Sequence, residues 1–227
     1  IQKKMISPRR LIFGAGLLLT AMELAKQIYL YAVVFGGHYN VWYFPFQLCS
    51  VPMYLALLWP LMEKRRERLA MAAATFIQDF GLLGGVAALI VHEGFTHPGH
   101  PMLTAHGYIW HILLIAMSIY MFRSGFAGQD IRSFRDSAGI FAVCAVIAEI
   151  INVLLHPFGD CDMFYISPYH LSSQIVFRDI DRIIGRGPGI VLYLLCVIAG
   201  AALMHLAYGA SANMLKRQTD RDRLQNN

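Results

Sequence analysis

Apolar residues fall in long runs along this chain, separated by short polar segments. Six runs approach the ~20 residues that an α-helix needs to cross a hydrocarbon core. They span about 10–36, 41–62, 68–92, 105–122, 138–156 and 188–210. The pattern predicts an all-α, polytopic membrane helix bundle with six transmembrane helices. One membrane domain would cover residues 1–215, followed by a short tail at 216–227. No internal repeat interrupts this order, so an inverted-repeat transporter gains no support. The first run, about 26 residues long, lacks a clear small-residue cleavage site and reads as a span. Met5 is a candidate natural start, with residues 1–4 an added remnant.

Composition agrees. Hydrophobic residues make up 57% of the 227 and charged residues 15%, against roughly 25% charged in an average soluble domain. A disordered chain, a coiled coil and a collagen are excluded. Too few polar residues exist to cover a water-soluble domain. The net charge of +5 gains meaning from its placement. Fifteen of the 19 lysines and arginines lie at the N-terminus, in the 2–3 and 4–5 connections and in the C-terminal tail. The other face carries only Arg178, Arg182 and Arg186, and Lys26 lies inside span 1. By the positive-inside rule both termini are cytoplasmic. The basic balance then serves anionic lipid, and no nucleic-acid partner is expected. Cys49, Cys144, Cys161 and Cys196 show no pairing pattern, and three lie in apolar runs, so no disulfide framework is expected.

Ionisable groups at membrane depth are costly and mark bundle interiors or cavities. Here they are Glu23, Lys26, Asp79, His111 and Glu149, with His205 better placed at the cytoplasmic interface. Glu23 and Lys26 are three apart and can pair on one helix face. Depth narrows the choice. Cys49 lies roughly 12 Å into span 2 and His111 roughly 7–8 Å into span 4, both counted from the outer side. Glu149 and Asn152 lie near the outer end of span 5. A thiolate is a strong nucleophile and an imidazole can take its proton, although a lone cysteine in a membrane helix is usually a packing residue. Around Cys49, Pro45 and Pro52 flank Gln47. Prolines free helix carbonyls, tolerable in a membrane only where something else satisfies them.

The segment Phe44-Pro-Phe-Gln-Leu-Cys49 resembles the Leu-Pro-Leu-His-Leu-Cys signature of the bacterial YwaF-like integral membrane proteins, relatives of animal transmembrane protein 164. Phe80–Leu89 resembles that family's glycine-rich third span, and Trp110-His111 to Tyr120 its histidine segment. Ile151-Asn152 with Asp162–Pro168 resembles its Asn-Tyr region, and Gly187-Pro188-Gly189 the turn before its last span. Gln47 stands where the family has histidine, Cys161 about where it has asparagine, and Ile112 where glycine is common. The resemblance implies acyl transfer. Cys49 would be the nucleophile forming an acyl thioester and His111 its general base, with His106 a fallback. Gln47 or Asn152 would stabilise the oxyanion, with Glu149, Asp162 and Tyr165 as further substrate contacts. It implies a membrane phospholipid as donor, an acceptor left open, no cofactor, no metal, and a bacterial cytoplasmic membrane with the site opening to the outer leaflet.

Two other readings stand beside this one. His92, His97, His100, His106 and His111 cluster at the outer ends of spans 3 and 4, and imidazole is a good ligand for zinc or copper. A non-catalytic transporter, receptor or assembly factor would instead use Glu23, Lys26, Asp79 and Glu149 as a polar path. The long stretch 157–187 is expected to carry an interfacial aromatic belt and a short surface helix at Ile175–Ile184, or headgroup contacts from Asp160, Asp162, Tyr165, Tyr169 and His170.

Overall fold

The computed structural model describes residues 8–225, which are mostly helical with no strand among them. Lys3, Lys4 and Met5 lie outside the described residues. Seven helices form: α1 (Pro8–Tyr29), α2 (Val51–Arg65), α3 (Glu67–Ile90), α4 (Pro101–Ser124), α5 (Ile131–Leu155), α6 (Ile175–Ile184) and α7 (Arg186–Gln225). Five helical stretches are long and apolar enough to cross a membrane: Arg9–Val34, Glu67–Ile90, Pro101–Ser124, Ile131–Phe158 and Arg186–Met214. Several outrun the apolar runs, because a helix continues into its polar flanks. α5 starts at Ile131, and α7 carries on through the stretch expected as a tail.

The stretch expected as the second span, 41–62, is not one helix. It makes a 3₁₀ turn at Val41–Tyr43, runs extended, makes another at Leu48–Ser50 and becomes α-helical only at Val51. The prolines explain this. A residue before proline is pushed out of the helical region, and Phe44 is extended at φ −54°, ψ 131° ahead of Pro45. Pro52 falls in the first turn of α2, where its missing N–H costs no intrahelical bond. The preceding connection is also set by local chemistry. α1 widens into a π-helical turn at Leu30–Val34. Gly36 and Gly37 then take left-handed φ values of 57° and 90°, conformations glycine adopts without a Cβ penalty.

α3 is the hub. Its run Ala72–Gly81 is buried without a break, and its small alanines let α2, α4, α5 and α7 pack against it. One core fills the first half, around Met53, Trp59, Ile77, Trp110 and Leu114. The second contains a chain of rings: Phe76 on Phe80 (centroids 4.7 Å apart), Phe80 on Phe141 (5.1 Å) and Phe141 on Phe164 (5.9 Å). α1 meets α2 at Gly16, where a Cβ would lie 2.9 Å from the Leu57 backbone nitrogen. Only glycine permits that approach.

Candidate functional site

The irregular stretch 41–50 frees carbonyl groups, and neighbouring side chains satisfy them. Gln27 Nε2 on α1 donates to the Tyr43 carbonyl at 2.7 Å. Tyr54 Oη on α2 donates to the Pro45 carbonyl at 2.6 Å. Trp110 Nε1 on α4 donates to the Cys49 carbonyl at 3.1 Å. Each bond satisfies a carbonyl of this non-helical stretch, as water cannot do in a bilayer core. Cys49 is therefore held on a short turn, half-buried, by donors from the helices around it. The two prolines signalled that donors were needed. They did not signal which residues supply them, and Gln27, Tyr54 and Trp110 went unread for that reason.

α1 lines this region with charge. Glu23 is buried and its Oε1 accepts from Lys26 Nζ at 2.8 Å and from Gln27 Nε2 at 2.7 Å. α4 presents two histidines to different surroundings. His106 stacks on Trp110 with centroids 5.4 Å apart. His111, which is buried, packs against Phe95 at 4.9 Å. Its Nδ1 lies 2.7 Å from the Gly107 carbonyl, so Nδ1 carries the proton and Nε2 keeps its lone pair. Among the described residues no imidazole hydrogen-bonds the Cys49 thiol.

Gln47 and Asn152 come together, but on a loop. Gln47 donates to the Asp162 carbonyl at 2.8 Å and accepts from the Phe164 amide at 2.9 Å. Asn152 donates to the Met163 carbonyl at 3.1 Å and accepts from the Met163 amide at 2.7 Å. These bonds tie one N–H of each amide, and both carbonyl oxygens, to the loop backbone. They fix a turn in which Phe164 and Tyr165 have positive φ of 57° and 58°, a strained conformation for aromatic residues that over-determined contacts sustain. Asp162 is buried and accepts from the Ser167 and Ser173 amides at 2.9 Å each. Arg186 links it to Asp181 and to the Ser167 and Tyr165 carbonyls. Asp181 sits over Gly189, leaving no room there for a side chain. Asp162 thus faces inward and Tyr165 is half-buried. Glu149 is half-buried on α5, and its Oε2 is enclosed without a partner. Of the expected belt, Phe158 and Tyr169 are exposed.

A separate polar cluster closes the other end of the bundle. Asp79 on α3 is fully buried and pairs with His205 Nδ1 on α7 at 2.8 Å. Gln78 Nε2 donates to its other oxygen at 2.9 Å. His205 Nε2 lies 3.2 Å from the Asp130 carbonyl. Both ring nitrogens face acceptors, the arrangement of a doubly protonated imidazole. His205 is therefore an interior partner of Asp79, not an interfacial residue as its position suggested. Asp79 is closed by these bonds and lines no open path. In the connection between α3 and α4, burial pushes the His97 imidazole below its ordinary value. His100 meets Tyr29 Oη at 3.3 Å. Among the described residues no three His, Cys, Asp or Glu side chains gather to hold a metal, so His92, His97, His100, His106 and His111 do not meet as a cluster.

Comparison with known proteins adds one positive finding. A family model described as the TMEM164 family matches residues 1–208. No curated protein and no solved structure matches this chain.

Proposed function

The chain belongs to the TMEM164 family, and we propose that it is a multi-pass membrane acyltransferase in which Cys49 carries the acyl group. The observation that supports this most is the setting of Cys49. It occupies a proline-flanked break in an otherwise apolar segment, and its carbonyl is held by the residue next to His111. A packing cysteine would need no such break.

In the proposed reaction the Cys49 thiol gives its proton to His111 Nε2, and the sulfur attacks the ester carbonyl of a glycerophospholipid. The tetrahedral oxyanion would be met by the amides that open the Leu48–Ser50 turn, since the first N–H groups of a helix have no intrahelical partner. Collapse expels the lysophospholipid oxygen, which takes the proton back from His111 and leaves an acyl thioester on Cys49. An acceptor then attacks the thioester and the thiol is regenerated. Gln47, Asn152 and Asp162 act at one remove, by fixing the 157–174 loop against the Cys49 segment. Glu23 and Lys26 supply the polar wall on α1.

We also read residues 41–65 as the second of six crossings, with both termini cytoplasmic and the site in the outer half of a bacterial cytoplasmic membrane. The charge asymmetry of the sequence supports this.

The test is acyl transfer from a labelled phospholipid by protein reconstituted in lipid nanodiscs. Cys49→Ala should abolish transfer, and His111→Gln should reduce it by about 10²-fold or more, as expected for loss of a general base. Transfer by Cys49→Ala at the wild-type rate would end the proposal.

A further inference from the structure

α6 takes no part in the chemistry proposed at Cys49, and its three sides differ in character. Two contacts four residues apart set its inward side. Phe177 packs edge-on against Tyr193 of α7 with centroids 4.9 Å apart. Asp181 is buried over Gly189 and bonded to Arg186. An α-helix turns about 100° per residue. Val176, Ile180 and Ile183 therefore fall about 110° round the helix from the inward side, and Arg178, Asp179 and Arg182 about 130° round the other way. Val176 is exposed, and Ile183 is 82% exposed, so the apolar side meets little of the protein. The polar side is exposed too, with Arg182 Nη1 on Asp179 Oδ1 at 2.8 Å. Ile175, in the first turn, is the one apolar residue there. An apolar stripe beside a charged stripe on a short helix is the pattern of a segment lying in a membrane surface.

Position decides what covers the stripe. Gly185 alone separates α6 from Arg186, where the segment Arg186–Met214, long and apolar enough to cross a membrane, begins. The segment Ile131–Phe158 ends at the same end of the bundle, and Phe158 is exposed there. α6 thus sits where a bilayer surface would be. One side of this helix is about 15 Å long and 10 Å wide, roughly 150 Å². A stable protein interface takes about 800 Å² from each partner. A leaflet sets no such minimum, because its contact continues onto Val191 and Leu195 of α7, both exposed. We infer that α6 docks on the phospholipid leaflet at this end of the bundle, with Val176, Ile180 and Ile183 among the acyl chains and Arg178 and Arg182 at the headgroup phosphates. The inference does not depend on what Cys49 does. Docking also bears on the neighbouring loop. Asp181 accepts from the Ser172 amide at 2.7 Å, and Arg186 joins it to Asp162. A seated α6 holds the 157–174 loop from the membrane side, as Gln47 holds it from within.

Two readouts test this on the full chain in phosphatidylcholine nanodiscs. The first is fluorescence quenching of an NBD label on Ile183→Cys or Arg182→Cys, each in a cysteine-free background. The label at 183 should be quenched by phospholipid carrying a nitroxide high on its acyl chain and hardly by aqueous iodide. The label at 182 should show the reverse. Equal iodide quenching at the two positions would overturn the inference and place the stripe in water. Protection of the label at 183 from both quenchers would overturn it too, since a protein surface, a second copy included, would then cover the stripe. The second readout is amide hydrogen exchange. Ile183→Asp should speed exchange across residues 172–184 by about tenfold, the effect of losing roughly one buried isoleucine side chain. Arg178→Ser, on the polar side, should leave it within about twofold of the wild type. Protection of α3 and α4 in both variants would show that the bundle is still folded. Unchanged exchange in a folded Ile183→Asp protein, or equal acceleration by Arg178→Ser, would overturn the inference.

Discussion

At the scale of single residues, the hydrogen bonds around Cys49 carry the account. Trp110→Phe keeps the ring and deletes the donor to the Cys49 carbonyl. It should cost about 1 kcal/mol or slightly more in stability, since it leaves a partly buried carbonyl unpaired. Thermal unfolding in detergent would show this, and transfer should slow as the turn loosens. Gln47→Leu deletes two bonds to the Asp162–Phe164 backbone and should cost more, about 2–4 kcal/mol at 1–2 per orphaned group. The buried Asp79–His205 pair makes a sharper case. Removing either partner should cost about 3–5 kcal/mol, because the other is left as an unpaired interior charge. Replacing both by leucine should cost much less than the sum of the two. An additive double-mutant cycle would mean that the pair is not coupled.

Helices and their breaks tell which parts of the architecture could be read from the sequence. The apolar runs announced α1, α3, α4, α5 and α7, since length and hydropathy alone define a crossing helix. The surface helix α6 was legible too, and forms over the expected Ile175–Ile184. The run at 41–62 was legible as apolar but not as broken. Hydropathy does not register backbone conformation, and only Pro45 and Pro52 hinted at the interruption. The pairing of Asp79 with His205 was hidden for another reason: 126 residues separate them, and no local pattern encodes which long-range partners meet. Gln47 and Asn152 were singled out as polar residues near the site. Their engagement with the loop backbone depends on the fold of residues 157–174, which carries no periodicity. At this scale Gly16 is the position to change. Gly16→Val would drive a side chain into the Ala56–Leu57 backbone of α2. It should separate α1 from α2 and destabilise the protein by far more than the roughly 0.3–0.5 kcal/mol that better helix propensity would return. A raised melting temperature would contradict the packing described here.

For the molecule as a whole, the arrangement places two polar centres in one apolar bundle. One surrounds Cys49 beneath the 1–2 and 5–6 connections. The other, Asp79 with His205, ties α3 to α7 and to the 4–5 connection. The fully bonded Asp79–His205 pair fits a fastener, whereas next to the Cys49 segment Gln27 Oε1 is enclosed without a partner. The topology adds its own prediction. Single cysteines placed at Ser211 and at Gln129 in a cysteine-free background should be labelled from the cytoplasmic side, and one at Tyr39 from the opposite side. Labelling of all three from one side would refute six crossings.

The central claim is a covalent one, and intact-mass spectrometry addresses it most directly. Purified protein would be incubated with mixed phospholipids, wild type beside Cys49→Ala. The account predicts an acyl-sized mass increase on the wild type that hydroxylamine removes and that Cys49→Ala never gains. An adduct of the same size on Cys49→Ala, or transfer of acyl groups by Cys49→Ala at the wild-type rate, would contradict it.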